Sequence, residues 1–212
     1  MELHSAPSMA DTVETVLQFA LQAVTCSHAG ITLAVRGGRA EIGAVTDPVI
    51  ETIFQWQIDV ADGPMIVALH DQEVVTVDDT TNEPRWPDWS TKVSELGIGA
   101  ALHVPLAVGE RTVGVLSLYG DQPGAFGVDD LAVAHILARH ASIAVAEARQ
   151  EETMARAVDA RKLVGQAMGI LMMKFDVDGD RAFAILKRYS QDNNRKLRDV
   201  AQEVIDTRKL PA

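Results

Sequence analysis

The residues of this sequence best suited to binding chemistry lie near its C-terminus, where cationic, aromatic and amide side chains occur together. In the run Lys187–Tyr189, two cations directly precede an aromatic residue. Ser190, Asn193 and Asn194 follow it. Cations bind phosphate groups, an aromatic ring stacks on a base, and amides bond to base edges. This combination suits an unpaired nucleic-acid loop better than a duplex groove. On charge alone, a solvated helix face explains the cluster equally well.

Three aspartates just upstream, Asp176, Asp178 and Asp180, alternate in the way that begins a calcium-binding loop. Such a loop requires Gly at its sixth position and Glu at its twelfth, but Arg181 and Lys187 stand there. We therefore exclude calcium and expect Asp178 or Asp180 to cap the helix that follows.

Other metal-binding and catalytic patterns are missing from the sequence. His135 and His140 are five residues apart, whereas a zinc pair on a helix prefers four, and no third ligand is evident. Cys26 is the single cysteine and is expected to be a buried or half-buried small hydrophobe rather than a sensor. We find no nucleophile elbow, phosphate loop or paired carboxylate with a base. We predict that the protein is not an enzyme, binds no metal and requires no cofactor.

The first 127 residues predict an α+β fold with an antiparallel sheet, because helical and strand periodicities do not follow the regular βα order of a parallel sheet. Ser8 with Asp11 marks the start of the first helix, and Asp47 with Pro48 marks the next. The predicted elements are a helix over 9–26, a hairpin over 31–44 turning at Gly37-Gly38, a helix from 48, a strand over 73–77, a helix over 86–96 and two central strands over 100–108 and 112–119.

Residues 128–174 contain no proline and predict one long connecting helix of roughly 70 Å at 1.5 Å per residue. Its apolar residues form two stripes in different phases, so each half of the helix is expected to pack in a different part of the protein. The members of the stripes are Leu131, Ala134, Ala138, Ala141, Val145 and Ala148 in the first, and Met154, Ala157, Arg161, Val164, Met168, Leu171 and Phe175 in the second.

Two shorter helices are predicted after the long one, so the C-terminal part has three helices. We expect the small residues Gly165 and Gly169 to let the second and third of these helices pack tightly; a direct contact with RNA is the alternative. Asn193 and Asn194 are expected to form a turn, and to provide a cap, before the last helix at Leu197.

Charge divides the chain into two parts. The net charge of −11 and the pI of about 4.9, taken alone, argue against a nucleic-acid partner. However, residues 1–150 hold 7 basic and 20 acidic side chains, residues 151–212 hold 12 and 10, and residues 161–198 hold 9 and 4. We therefore predict an acidic domain over 1–150 and a second domain over 151–212 that carries a locally basic surface.

Three motifs in the second part, in order, resemble the helices of the ANTAR domain. They are the runs Arg161–Met172, Asp180–Leu186 and Asn194–Ala201, and the resemblance covers about 155–209. It implies an RNA-binding antiterminator, which holds tandem hairpin loops of a leader transcript and so prevents the terminator hairpin from forming. Met168 stands where many members have lysine, so we place no contact there. The residues expected to contact RNA are Arg161, Lys174, Lys187, Arg188, Tyr189, Ser190, Asn194, Arg195, Lys196 and Arg198.

Residues 9–150 resemble a GAF domain, a sensor module that binds small ligands or serves as a dimerising scaffold. The matching segments are 61–64, 77–79, 85–87, 96–97 and 123–126. Related proteins often carry Cys after Gly-Pro, where Met65 stands, so the resemblance gives no thiol sensor at this position. It implies a small-molecule effector whose identity no residue indicates, and it leaves open a domain that only dimerises.

These observations predict a cytoplasmic homodimeric regulator of the GAF–ANTAR type that binds RNA hairpins. The N-terminus has no signal peptide, and no apolar stretch reaches the roughly 20 residues of a membrane span. A helix-turn-helix DNA-binding regulator is the alternative, but few residues remain after Ile205 to build a recognition helix. A free methionine sulfoxide reductase on the GAF scaffold would need at least two cysteines.

Overall fold

The computed structural model describes residues 8–35 and 37–209, and the chain divides into two compact units, Met1–Arg149 (unit 1) and Gln150–Ala212 (unit 2). The elements of unit 1 are α1 (Met9–Ala23), β1 (His28–Ala34), β2 (Ala40–Val45), α2 (Pro48–Val60), α3 (Pro64–Asp71), β3 (Val75–Val77), α4 (Pro87–Glu95), β4 (Ala100–Val108), β5 (Arg111–Gly120) and the first part of α5 (Val128–Phe175).

The five strands of unit 1 form one antiparallel sheet in the order β2-β1-β5-β4-β3. The predicted antiparallel α+β architecture is therefore confirmed. β5 lies at the centre, and every residue of this strand from Val113 to Gly120 is buried. Near-continuous burial is expected of a strand that is covered on both faces.

Helices cover both faces of this sheet. On one face, α1 and the first part of α5 bury Val13, Leu17 and Ala20 together with the predicted stripe around Ala138. On the other face, α2, α3 and α4 form a second apolar cluster that includes Phe54 and Trp89. Unit 1 thus has two separate layers of core, and the second layer surrounds most of its buried polar side chains.

Two of the predicted helix starts are present in unit 1. Ser8 and Asp11 form a reciprocal capping box at α1, and the Asp47 side chain accepts from the N–H of Val49 at the start of α2. Helix α3, which begins at Pro64, is an addition to the predicted elements. Proline at the first position of a helix is well tolerated, since that N–H has no partner within the helix.

Unit 2 contains the second part of α5 together with α6 (Gly179–Asp192) and α7 (Leu197–Thr207). Its core consists of one small apolar cluster to which all three helices contribute, and its buried members are Ala167, Leu171, Ala182, Leu186, Val200, Ala201 and Val204. The predicted second stripe of α5 is wrong at both ends. Met154 is 59% exposed and Phe175 is 46% exposed, because the two short helices cover only the middle of that stripe.

The packing role predicted for Gly165 and Gly169 is also wrong. A Cβ atom built on either glycine would meet no atom within 4 Å, so no described helix approaches α5 at these positions. Both glycines lie on the exposed side of α5.

By length and composition alone, α5 would be able to cross a membrane, and it is the only described helix of that kind. Its apolar stripe in unit 1, which includes Ala134, Ala138, Ala141 and Val145, is buried in the core of that unit. Packing within unit 1 therefore accounts for this part of the apolar content of α5.

Candidate nucleic-acid interface

Most of the cations predicted to bind RNA surround the loop between α6 and α7. Asn193 caps the C-terminus of α6, and Asn194 adopts a left-handed backbone with φ of 48°. Two hydrogen bonds close the loop. The Arg195 N–H donates to the Ser190 carbonyl over 2.9 Å, and the Ser190 hydroxyl donates to the Arg195 carbonyl over 2.6 Å. This pairing fixes the backbone from which the Arg195 side chain projects.

The guanidinium of Arg195 is held by two further side chains. Its Nη2 lies 2.6 Å from Oε2 of Glu203, a residue in the second turn of α7. The Tyr189 hydroxyl is another hydrogen-bond partner of the guanidinium. The hydrogen bond to Glu203 is the largest reason that the pKa of Arg195 is raised, and the contact with Tyr189 acts in the same direction. The Arg195 side chain remains 39% exposed, so part of its donor edge faces solvent.

The other two arginines of the loop region make looser ion pairs at the surface. Arg188 Nε lies 3.5 Å from Oδ2 of Asp192, one helical turn away, and Arg198 Nε lies 4.0 Å from Oδ1 of Asp199. Exposed pairs of this kind contribute only about 0–1 kcal/mol to stability, so a phosphate group can replace the carboxylate at little cost.

Lys187 and Lys196 are exposed cations on either side of the same loop. Neither forms an ion pair with any of the residues that the structure describes. Lys196 is the N-cap residue of α7, and its side chain makes no capping hydrogen bond. We refer to Lys187, Arg188, Arg195, Lys196 and Arg198 as the loop cations.

Two of the predicted site residues lie apart from the loop cations. The Lys174 ammonium donates to the carbonyl of Arg208, which caps the C-terminus of α7. It is therefore separated from Lys196 by the length of α7, roughly 16 Å at 1.5 Å per residue. Arg161 is exposed on α5, about 20 Å along the helix from Lys174 by the same measure. The structure brings together the cations over 187–198 but not these two.

The polar side chains of the loop have mainly local partners. The Asn193 amide donates to the carbonyl of Tyr189 over 3.0 Å, so it closes the end of α6. The predicted cap of α7 by Asn193 or Asn194 is therefore wrong, because Lys196 holds the N-cap position and Asn194 supplies the left-handed turn before it. The Tyr189 ring is half-buried against the core of unit 2.

One of the aspartates upstream of α6 caps the helix. The Asp178 carboxylate accepts from the N–H of Arg181 over 2.8 Å at the N-terminus of α6, as predicted for one of the two candidate positions. Among the described residues, there is no group of three His, Cys, Asp or Glu side chains placed to hold a metal ion.

Unit 1 contains a second candidate site, formed by buried polar side chains in the cluster between the sheet and helices α2–α4. The rings of Trp89 and Tyr119 contact His103 edge-on, with centroids 6.5 Å and 5.6 Å from the imidazole. Gln57 lies in the same layer, where its Oε1 accepts from the N–H of Met65 over 3.0 Å. We refer to Gln57, Trp89 and His103 as the buried polar cluster.

Each member of the buried polar cluster has an unsatisfied atom. Gln57 Nε2, Trp89 Nε1 and His103 Nε2 are fully buried and have no hydrogen-bond partner. A buried polar group without a partner costs about 1–3 kcal/mol, so such groups in native proteins point to a bound water or ligand. Burial lowers the pKa of His103 to about 3, which keeps the ring neutral.

A cavity of about 230 Å³ lies next to the buried polar cluster, between α2 and α4. Trp56 and Trp89 form aromatic walls, and the Lys92 ammonium lies 5.8 Å from the Trp56 ring centroid. Lys92 and Glu95 bring one charge of each sign to the lining, so the pocket suits a small planar molecule that carries polar groups.

Cys26 is half-buried, and burial raises the pKa of its thiol to about 11. Since the thiolate is the reactive form, this cysteine is a poor redox sensor, in agreement with the packing role predicted for it.

Glu203, Gln57 and His103 are the residues of these sites that the sequence patterns did not reveal. Glu203 reaches Arg195 only because the loop turns sharply between α6 and α7. Arg195 lies outside α7, so helical periodicity does not predict its contact with Glu203. His103 and Gln57 stand among apolar residues of a strand and a helix. A polar residue at a predicted buried position was the available signal.

Comparison with known families assigns both units. A GAF domain model matches residues 6–146, and an ANTAR domain model matches residues 152–205. The chain belongs to the GAF–ANTAR proteins. In such proteins, the GAF domain is a sensor and the ANTAR domain belongs to RNA-binding antitermination regulators; neither is a catalytic family. The loop cations therefore lie in the ANTAR domain, and the buried polar cluster lies in the GAF domain.

Solved structures resemble the GAF domain in fold. A domain of a putative two-component sensor histidine kinase from Sinorhizobium meliloti has a TM-score of 0.59 and 19% identity, with 71% of this chain and 99% of that chain covered. GAF-B of DevS from Mycobacterium smegmatis gives 0.52 and 20%, covering 69% and 99%. A type II free methionine-R-sulfoxide reductase from Thermoplasma acidophilum gives 0.51 and 15%, covering 66% and 93%. The comparison with curated proteins returned no match.

Proposed function

We propose that this GAF–ANTAR protein is a cytoplasmic, signal-responsive regulator that binds tandem stem-loops in leader transcripts and prevents transcription termination. The observation that carries the proposal is the grouping of the five loop cations around one rigid loop of the ANTAR domain. Single-stranded RNA loops present phosphates and unstacked bases together, and this surface offers partners for both.

The roles of the predicted residues follow from their contacts. Lys187, Arg188, Lys196 and Arg198 are exposed and would bind phosphates, whereas Arg195 and Asn194 project from the fixed loop and would contact bases. Ser190 would act by holding the loop, and Tyr189 by supporting Arg195 and offering the exposed part of its ring. Arg161 and Lys174 would bind more distant phosphates of the second stem-loop or its linker.

A gel-shift titration with an RNA carrying two short hairpins tests the RNA-binding function. The wild-type protein should bind it more tightly than a duplex DNA of equal length, and Arg188→Ala and Arg195→Ala should each weaken binding. Arg111→Ala, which removes an exposed cation of the GAF domain away from the cavity between α2 and α4, is the matched control and should bind normally. Absence of binding at low salt, or equal binding by all variants, would contradict the proposal. Readthrough of a terminator in transcription reactions tests the regulatory step.

We further propose that the protein acts as a homodimer, because two hairpins are most simply engaged by two protomers. Light scattering of the full chain with and without the two-hairpin RNA tests this. A complex of one chain with one RNA would contradict it.

The GAF domain is proposed to bind a small effector through the buried polar cluster and the adjoining cavity. The aromatic walls of the cavity support this assignment, together with Trp89, which lines the cavity and carries one of the unsatisfied polar atoms of the cluster. Native mass spectrometry of the purified full chain, before and after denaturation, should reveal a released small molecule. Trp89→Phe keeps an aromatic ring but removes the N–H donor and should reduce its occupancy. Trp86→Phe, which changes a tryptophan outside the cavity, should not. Equal occupancy in both variants would contradict the assignment.

A further inference from the structure

We propose that Glu203 is a positioning residue that fixes Arg195 for contact with a pair of adjacent acceptors on the RNA loop. Such a pair is offered by the O6 and N7 atoms of guanine or by two oxygens of a phosphate group. The inference rests on the proposed RNA-binding function and assigns a role to a carboxylate within the cationic surface.

Glu203 is an unexpected residue at the centre of an anion-binding surface. Its carboxylate repels phosphate groups. It also occupies one N–H of Arg195, the arginine whose position is fixed most firmly. A carboxylate that served only to stabilise the fold would gain little here, because both side chains are partly exposed, Arg195 at 39% and Glu203 at 34%.

The geometry instead favours orientation. The 2.6 Å contact between Arg195 Nη2 and Glu203 Oε2 restrains one side of the guanidinium, and the Tyr189 hydroxyl restrains it at a second point. The backbone of Arg195 is fixed as well, by its two hydrogen bonds with Ser190. A guanidinium has five N–H donors in a planar fork, so donors remain for the RNA after these two contacts.

A fixed fork distinguishes between ligands better than a mobile one does. A restrained guanidinium loses less freedom on binding, and it accepts only a partner whose two acceptors match its direction. Arg188 and Arg198, with their 3.5 and 4.0 Å pairs, lack this restraint and are suited to phosphates in many orientations. Glu203 therefore reduces general affinity and increases discrimination.

The test compares Glu203→Gln with the wild-type protein in binding to two-hairpin RNA with guanine-containing loops. One RNA is transcribed with GTP and the other with 7-deaza-GTP, which removes N7 and leaves base pairing intact. The wild type should prefer the GTP-made RNA by about tenfold, the range of one bidentate base contact. Glu203→Gln should bind the 7-deaza RNA at least as tightly as the wild type does but lose most of the preference.

Two further variants make the result specific to orientation. Asp206→Asn removes the same charge from α7 near its C-terminal end and should retain the preference. Arg195→Lys keeps the charge without the fork and should lose the preference as Glu203→Gln does. Thermal unfolding of every variant reports its folding, and a merely structural role for Glu203 would lower stability and both affinities together.

The salt dependence of RNA binding distinguishes a guanine base from a phosphate group as the partner of Arg195. If the 7-deaza RNA binds the wild type as well as the GTP-made RNA, and Arg195→Ala reduces the slope of log K against log salt, the paired acceptor is a phosphate. If Glu203→Gln changes neither the guanine preference nor the salt slope, the positioning role is overturned. Failure of the wild type to bind either RNA would instead overturn the proposed function itself.

Discussion

The imidazole Nδ1 of His103 lies 2.8 Å from the hydroxyl of Ser117, and both side chains are completely buried in the GAF domain. One ring nitrogen thus has a neutral hydrogen-bond partner, whereas the other, Nε2, has none. A protonated imidazole would be an unpaired charge in the core.

This relationship predicts acid sensitivity of the GAF domain. The pKa of His103 is lowered to about 3 in the folded protein, against an ordinary value of 6.5, because burial disfavours the charged form. The unfolded state therefore binds a proton first as the pH falls. The stability contributed by the neutral ring is complete above pH 6.5 and declines between 6.5 and 3, by at most about 1.4 kcal/mol per pH unit.

Urea unfolding at pH 7.5 and 5.0, followed by tryptophan fluorescence, measures this effect in the GAF domain, which contains Trp56, Trp86 and Trp89. The wild type should lose stability between the two pH values, and His103→Gln should lose less. A wild-type stability that is equal at both pH values would contradict the assignment.

Alanine at Gly165 or Gly169 should stabilise the ANTAR domain by about 0.5–1 kcal/mol each, because a glycine within a helix is entropically costly and the added Cβ has open space. Circular dichroism during thermal unfolding of the full chain measures the gain. Gly114→Ala is the opposing control, since its Cβ would collide with the carbonyl of Thr32, and it should destabilise the GAF domain. A loss of stability in the first two variants would show that something packs on this side of α5.

Asp178→Ala should destabilise α6 by about 1 kcal/mol, because the carboxylate accepts from the N–H of Arg181 at the helix N-terminus. Asp180→Ala removes an acidic residue of the first turn but leaves the cap, so it should destabilise α6 less than Asp178→Ala does. Hydrogen exchange of the α6 amides compares the two variants. Equal protection in both would show that the cap is not the dominant interaction.

Lys187→Ala and Lys196→Ala should weaken RNA binding to a similar extent for all loop sequences and reduce the salt dependence. Each phosphate contact with single-stranded RNA contributes roughly 0.7 to the slope of log K against log salt, so the double variant should lose about 1.4. Titrations over a series of salt concentrations supply the slope. An unchanged slope would mean that these lysines do not contact phosphates.

Sequence patterns predicted the fold well where periodicity and capping residues agreed. The capping pair of Ser8 and Asp11, the start at Asp47 and the stripe around Ala138 all correspond to observed features, because each depends on residues close in the chain. The stripe from Met154 to Phe175 failed at its ends because burial depends on how much of a helix its neighbours cover. Periodicity alone does not predict how many turns of a helix its neighbours will cover.

The candidate sites were predictable only in part. Local composition brought out the cations over 187–198, which the loop does gather. It could not reveal that Glu203 pairs with Arg195, since the sharp turn at Asn194 creates that contact. Nor could it bring together Gln57, Trp89 and His103, which come from α2, α4 and β4 and share one layer only after the two helices pack on the same face of the sheet.

The carboxylates that accompany the arginines of the ANTAR loop have a kinetic consequence. Asp192, Asp199 and Glu203 leave the five loop cations with only two net positive charges, in a chain whose GAF domain is strongly acidic. Long-range attraction of RNA is then weak, so the rate of encounter should gain little from electrostatic steering. Selection among transcripts would take place after collision, through the residence time of each RNA, and the complexes that persist would be those whose loops displace the carboxylates at Arg188 and Arg198 while fitting Arg195.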